Sequence, residues 1–319
     1  MTVKHSLIVP CFNEEGNVEK FLFEVKKTFS EYTDNYEIVF VNDGSRDKTP
    51  ENLKKLFNEN KDVRIKVINF SRNFGKEAAM YAGLSHASGE YVTIIDADLQ
   101  QDPKYVVQMG NILDENPDCD MVAAFQQQRK EGKFISLCKK SFYKLINRVT
   151  EVDCIQDASD FRTMRRSVVD TILSLTEYHR FSKGIFSWVG YNTVSIPYEV
   201  RERESGETKW NFMKLLKYAL DGICAYTDMP LKLPFYAGGI MGALSFVQFV
   251  AFILIDIFTQ YDIALGYIAS VILLVGAVLC AFLGVIGFYL GKIHTQVKGR
   301  PIFIAREILT YEQNQRTDN

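Results

Sequence analysis

Two runs without a single charge constrain this chain more than any other feature. No Asp, Glu, Lys or Arg occurs from Pro234 to Ile255, nor again from Ile263 to Gly291. About 20 apolar residues in a helix cross a hydrocarbon core roughly 30 Å thick, and a helix satisfies its own backbone groups there. The pattern predicts a two-helix transmembrane anchor over 234–291. A buried helical hairpin in a soluble protein is the competing reading, but two such runs exceed what a soluble core needs. The linker Asp256 to Asp262 has two acids and no Lys or Arg, whereas Lys232 precedes the first run and Lys292, Lys298 and Arg300 follow the second. Basic flanks stay on the cytoplasmic side, so the hairpin tip is expected outside and both termini inside. Gly238, Gly239 and Gly242 on one run, and Gly276, Gly284 and Gly287 on the other, permit close helix contact and make a homo-oligomer the expectation.

Just ahead, Phe212, Leu215, Leu216, Ala219, Leu220 and Ile223 recur at helical spacing, with Lys214, Lys217 and Asp221 on the other side. Such a stripe suits a helix in the membrane interface or one facing a protein core. Its position beside a span favours the lipid bilayer as its partner.

The first 200 residues alternate short β-branched runs with helical stretches. Ser6–Pro10, Glu37–Val41, Lys66–Asn69, Tyr91–Ile95 and Met121–Ala124 read as strands. Glu15–Phe29, Thr49–Asn60 and Lys76–Ala87 read as helices. This alternation predicts a Rossmann-like α/β domain with a mostly parallel sheet and ligands at the carboxyl ends of its strands. A formal net charge of −2 supplies no global basic field, so any polyanion site must be local and no nucleic-acid partner is expected. The six cysteines form no C-x-x-C pair and read as reduced packing thiols. The first fifteen residues are too short and too acidic for a signal peptide, so the N-terminal part is expected in the cytosol.

The motifs fall just after the strands. Pro10-Cys11-Phe12-Asn13-Glu14-Glu15 follows the first, and Val41-Asn42-Asp43-Gly44-Ser45 closes the second. Each puts acceptor side chains where a ribose or base could be bound, and each alone fits a turn or helix cap equally well. After the third strand, Gly75 opens a helix whose free N–H groups, with Arg72 or Lys76, could meet a diphosphate; an ordinary solvated helix start is the alternative. The fourth strand runs into Asp96-Ala97-Asp98. Carboxylates two apart on an extended strand end point the same way, which suits one hard cation with oxygen ligands, Mg²⁺ or Mn²⁺. Later come Asp157-Ala158-Ser159-Asp160-Phe161-Arg162, and then a loop with Arg201, Arg203 and Lys209 close to the interfacial stripe, suited to the phosphate of a lipid.

Together PCFNEE at 10–15, VNDGSRDKT at 41–49, FSRNFGKEAA at 70–79, DADLQ at 96–100, DFR at 160–162, SGETKW at 205–210 and VKGRP at 297–301 resemble the family-2 glycosyltransferases of the GT-A fold. Within that family the similarity is to the polyprenyl-phosphate glycosyltransferases, relatives of dolichol-phosphate mannose synthase and the bactoprenol glucosyltransferases with a two-helix anchor. The resemblance implies a GT-A domain over 1–205, an acceptor loop with interfacial helices over 206–233, the anchor over 234–291 and a cytoplasmic tail over 292–319. It implies a bacterial plasma-membrane enzyme that moves one sugar from a nucleotide-sugar, by analogy a UDP-hexose such as glucose or N-acetylglucosamine, to undecaprenyl phosphate. It implies donor binding by Pro10, Asn13, Glu14, Asp43, Arg72, Lys76 and Asp96, and metal-diphosphate binding by Asp96 and Asp98. Asp160 is implied near the acceptor, with Arg162, Arg201, Arg203 and Lys209 on the lipid phosphate.

Two departures stand out. Members usually read DADLQDP or DADLQHP, and here Gln101 displaces Asp102-Pro103, so Gln100 or Asp102 would complete the metal shell. Ser159 stands where glycine is more usual, which leaves Asp157 or Asp160 as the acceptor-side acid. A processive polysaccharide synthase would carry a Q-x-x-R-W segment, but Gln126-Gln-Gln-Arg129 is followed by Lys130. A non-catalytic nucleotide-sugar-binding membrane protein would have no need of an acceptor-side acid beside a basic loop.

Overall fold

The computed structural model describes residues 3–126, 158–178, 180–201, 229–258 and 264–311. Strands β1 (His5–Cys11), β2 (Tyr36–Asn42), β3 (Arg64–Phe70) and β4 (Tyr91–Ile94) alternate with helices α1 (Val18–Ser30), α2 (Thr49–Glu59) and α3 (Lys76–His86). α4 (Lys104–Glu115), β5 (Met121–Gln126), β6 (Ala158–Arg165), α5 (Arg166–Ser174), α6 (Ser182–Trp188) and β7 (Thr193–Tyr198) follow. The chain continues through α7 (Met229–Phe258) and α8 (Ala264–Val297) and returns as β8 (Ala305–Thr310).

One sheet results, in the order β7-β5-β6-β4-β1-β2-β3-β8. β4, β1, β2 and β3 are mutually parallel, as the alternation predicts, and each is apolar along nearly its whole length because helices cover both faces. The sheet as a whole is mixed, however. β6 runs antiparallel between β4 and β5, and β8 runs antiparallel along β3. Neither strand was predicted, since β6 (ASDFRTMR) spaces its apolar residues three apart and β8 (AREILT) has no strict alternation, so neither carries the period-two signal of a strand.

Successive side chains of a strand point to opposite faces, and the core divides accordingly. Leu7 and Val9 of β1 pack with Phe21, Val25 and Phe29 of α1, Leu53 of α2 and Val106 and Met109 of α4. Ile8, between them, packs on the other face with Met80 of α3, Val168 of α5 and Phe186 of α6. The stretch expected as a tail joins this second cluster: Phe303 stacks on Phe70 with ring centroids 5.0 Å apart. Glu307 of β8 takes a hydrogen bond from Asn69 (3.3 Å) and pairs with Lys54 (3.1 Å).

Among the described residues, Leu274–Val297 of α8 is the one helical stretch long and apolar enough to cross a bilayer, and none of it is buried. α7 is also long, with Pro234 inside it. At its far end α8 meets the sheet domain through Gln296, whose amide accepts from the Tyr178 N–H (2.8 Å) and donates to the Thr176 carbonyl (2.9 Å). The interfacial stripe Phe212 to Ile223, with Asp157, Arg203 and Lys209, lies outside the described residues.

Candidate active site

The sheet opens where its strand order reverses, between β1 and β4. Pairing there stops at Ile8 and Ile94, while β1 continues to Cys11 against β2. Pro10 lies beyond that last pair, so its missing N–H removes no bond to β4. A crevice at the carboxyl ends of parallel strands is the usual ligand position in such sheets, and four loops converge on it.

The first two loops are stapled together. Asn13, held at φ 58°, accepts a hydrogen bond on Oδ1 from the Arg46 N–H (2.9 Å) and donates its own N–H to Ser45 Oγ (3.0 Å). The Glu14 N–H donates to Thr49 Oγ1 (2.8 Å), and its carboxylate accepts from Asn17 (2.6 Å). Asn13 and Glu14 thus shape the loop that would meet a donor. Asp43 does the same for the third loop. Its carboxylate, 3% exposed, accepts from the N–H groups of Phe74 (2.7 Å) and Gly75 (3.0 Å) and from Asn73 Nδ2 (2.9 Å). Burial raises the Asp43 pKa, and those two N–H groups partly offset it. Only glycine fits at 44: at φ +65° an added Cβ would lie 2.4 Å from the Arg72 carbonyl carbon. Arg72 itself is exposed, its guanidinium 4.0 Å above the Phe74 ring.

Asp43 therefore sets the turn that starts α3, and the first residue of α3 is Lys76. From there Lys76 Nζ reaches two acids at once, Asp96 Oδ1 (2.8 Å) and Asp160 Oδ2 (3.1 Å). The antiparallel register explains why both are within reach. Ile94 lies opposite Arg162, so Asp96 and Asp160 come level just past the end of β4. Desolvation lowers the Lys76 pKa, but Asp96 and then Asp160 outweigh it and hold the ammonium above its ordinary value. Burial raises the Asp160 pKa, but Lys76, then Lys183 and Arg162, overcome it and hold the carboxyl below its usual range.

The loop after Asp96 is braced by the glutamine that departs from the usual pattern. Gln101 Oε1 accepts from the Asp96 N–H (2.9 Å), and its Nε2 donates to Asp96 Oδ2 (3.2 Å). Leu99 adopts φ 60°, an unfavourable conformation for a side-chain-bearing residue, and such strain concentrates at functional loops. Asp98 Oδ1 accepts from the Gln100 N–H (3.2 Å), and the Gln100 carbonyl accepts from the Arg201 N–H (3.1 Å). Asp102 is turned elsewhere: it is 6% exposed and pairs with Arg201 (2.5 Å), which also meets Glu24 (3.6 Å). Two carboxylates, Asp96 and Asp98, are what this loop offers a cation, and among the described residues no group of three His, Cys, Asp or Glu converges. That set fits Mg²⁺ or Mn²⁺, which bind through one or two carboxylates completed by substrate phosphates and water.

Arg162, expected at a lipid phosphate, is 3% exposed, with its guanidinium 3.7 Å from the Phe186 ring centroid and donating to the Ser159 carbonyl (2.8 Å). Burial pulls its pKa down to about 10. The structure thus brings Asp43, Lys76, Asp96, Asp98 and Asp160 to one crevice and holds Arg201 in a separate ion pair. Gln101 and Gly44 are the residues that motif reading undervalued. The signal for Gln101 was its very insertion, one residue too many for a loop whose carboxylate needs bracing.

An α/β sheet with an acidic crevice at its switch point defines the class, and the comparisons with known proteins define the family. Residues 6–173 match the glycosyl transferase family 2 model, and the chain belongs to that family of enzymes. It is 40% identical to the putative glycosyltransferase CsbB of Bacillus subtilis, over 95% of this chain and 91% of the relative. A glycosyltransferase of Synechocystis sp. is 38% identical over 97% of this chain and 96% of its own. The SfII prophage-derived bactoprenol glucosyl transferase of Shigella flexneri is 37% identical over 96% of this chain and 98% of its own.

Proposed function

We propose that this enzyme transfers one sugar, with inversion, from a UDP-hexose such as glucose or N-acetylglucosamine to undecaprenyl phosphate on the cytoplasmic face of the membrane. The product is a polyprenyl-phosphate sugar that supplies cell-surface polysaccharide modification. The observation that carries this reading is the alignment of Asp96 and Asp160 across the β4–β6 register, with Lys76 between them. It is supported by the end-to-end similarity to a relative named as a bactoprenol glucosyl transferase, and by the exposed apolar helix Leu274–Val297, with the charge-free run in α7 as a second span.

In this mechanism the loops stapled by Asn13 and Glu14 hold the nucleoside, and Asp43 fixes the α3 start beneath the diphosphate. Asp96 and Asp98 would hold Mg²⁺ or Mn²⁺, which when bound would supply a Lewis acid for charge growing on the leaving diphosphate. The acceptor phosphate oxygen attacks the anomeric carbon as the bond to the diphosphate breaks. A phosphate monoester, with its second pKa near 6, is largely dianionic at neutral pH, so no strong base is required. Asp160 orients the acceptor, and its low pKa keeps it charged for that task. Arg203 and Lys209 would meet the lipid phosphate.

The test is transfer by the purified full chain in detergent, with a panel of UDP- and GDP-sugars, undecaprenyl phosphate and Mg²⁺ or Mn²⁺, against Asp96→Ala. A lipid-linked product from one donor, lost in the variant and with EDTA, is the expected result. UDP binding without product from any donor would overturn the reading in favour of a non-catalytic nucleotide-sugar-binding protein.

A further inference from the structure

We propose that Lys76 makes divalent-cation binding conditional on the nucleotide diphosphate, by acting as the counter-ion of Asp96 and Asp160 until the diphosphate takes the ammonium over. The inference rests on the donor reading given above. Both oxygens of Asp96 are engaged: Oδ2 by Gln101 Nε2 (3.2 Å) and Oδ1 by Lys76 Nζ (2.8 Å). A cation at Asp96 Oδ1 competes with the ammonium for that oxygen, and the two positive charges repel at contact distance. Metal alone therefore meets an acid whose charge is already balanced.

A diphosphate changes that balance. Lys76 is the first residue of α3, where the helix N–H groups and an ammonium on a flexible four-carbon stem can serve the same anion. Its side chain is 44% accessible, so it can swing without repacking the core. Once it moves, Asp96 is released to the cation, and the diphosphate adds its own oxygens. Metal and nucleotide must then each strengthen the other's binding by the same factor. Bond making and breaking are untouched, since the exchange is of ion pairs only.

The experiment follows Mn²⁺ binding to the full chain in detergent by the electron paramagnetic resonance signal of the free ion, with and without UDP. In the wild type, UDP is expected to tighten Mn²⁺ within the 5- to 150-fold range typical of site coupling. In Lys76→Met, Mn²⁺ alone is expected to bind about tenfold tighter than in the wild type, with the enhancement by UDP correspondingly smaller. Lys76→Arg, which keeps a cation there, is expected to restore weak binding of Mn²⁺ alone. The proposal is overturned if Lys76→Met, shown to be folded by a cooperative melt, binds Mn²⁺ alone no tighter than the wild type. It is overturned independently of any variant if UDP leaves wild-type Mn²⁺ affinity unchanged while itself binding. Failure of UDP to bind at all would instead overturn the donor reading beneath it.

Discussion

At the scale of single residues, this structure puts paired charge to two different uses. In the crevice, Lys76 joins an acid just past β4 to one on β6 and remains accessible. At the opposite, amino-terminal end of the sheet, Glu37 is 0% exposed and accepts from Ser6 Oγ (2.6 Å) and the Ser88 N–H (2.6 Å), while pairing with Lys66 (3.0 Å). Burial alone raises the Glu37 pKa, but Ser6, Ser88 and Lys66 together bring it below the ordinary value. A carboxyl whose folded pKa is depressed contributes stability above its unfolded pKa and loses it as pH falls through the folded one. Glu37→Gln leaves Lys66 buried without a counter-charge, a change that typically costs about 3–5 kcal/mol. Urea denaturation at pH 7 is expected to register that loss. The gap between variant and wild type is expected to narrow as pH falls below the ordinary glutamate value of about 4.3 and on through the lower folded one. A gap constant with pH would remove Glu37 from the acid limb.

Elements differ in how plainly the sequence announces them. β1 to β5 were legible to within two residues at either end, because strands buried on both faces read as unbroken apolar runs. The start of α1 was expected at Glu15 and lies at Val18, since Asn13 at φ 58° and the Asn17 N–H bond to the Glu14 carbonyl (2.9 Å) form a turn first. β6 escaped notice although it carries Asp160, because its sequence ASDFRTMR is polar and gains strand geometry only by lying between β4 and β5. The D-x-D acids were legible from spacing, whereas their meeting with Lys76 depends on a register that no local pattern encodes. Another long-range link runs from α8. Gln296 grips Thr176 and Tyr178, and a few residues on, Ser182 donates through both N–H and Oγ to Glu77, the neighbour of Lys76. Gln296→Ala removes two hydrogen bonds worth about 1 kcal/mol each. Hydrogen exchange at the Tyr178 amide is expected to quicken by about tenfold or more, with the β1–β2 core unchanged; equal rates in variant and wild type would show that the grip is inert.

On the scale of the whole molecule, the glycosyltransferase domain and the apolar helix are one unit. Large side chains along α8 such as Ile272, Leu279, Leu283 and Leu290 are each more than half exposed, a surface that only lipid or another apolar helix would cover. The full chain is accordingly expected in the membrane fraction after carbonate or high-salt washing and to leave it only with detergent. Release by salt alone would identify a surface-bound protein instead. The return of the chain as β8 has a further consequence, for biosynthesis. The ribosome completes β3 long before it reaches Ala305, and the whole of α8 must emerge in between. Until then the edge of β3 presents unpaired backbone groups, the kind of template that recruits other chains, and Phe70 lacks the ring that stacks on it. The nascent enzyme therefore finishes its sheet only after its long apolar helix has been synthesised, so that closure of the catalytic domain waits on the last segment of the fold to leave the ribosome.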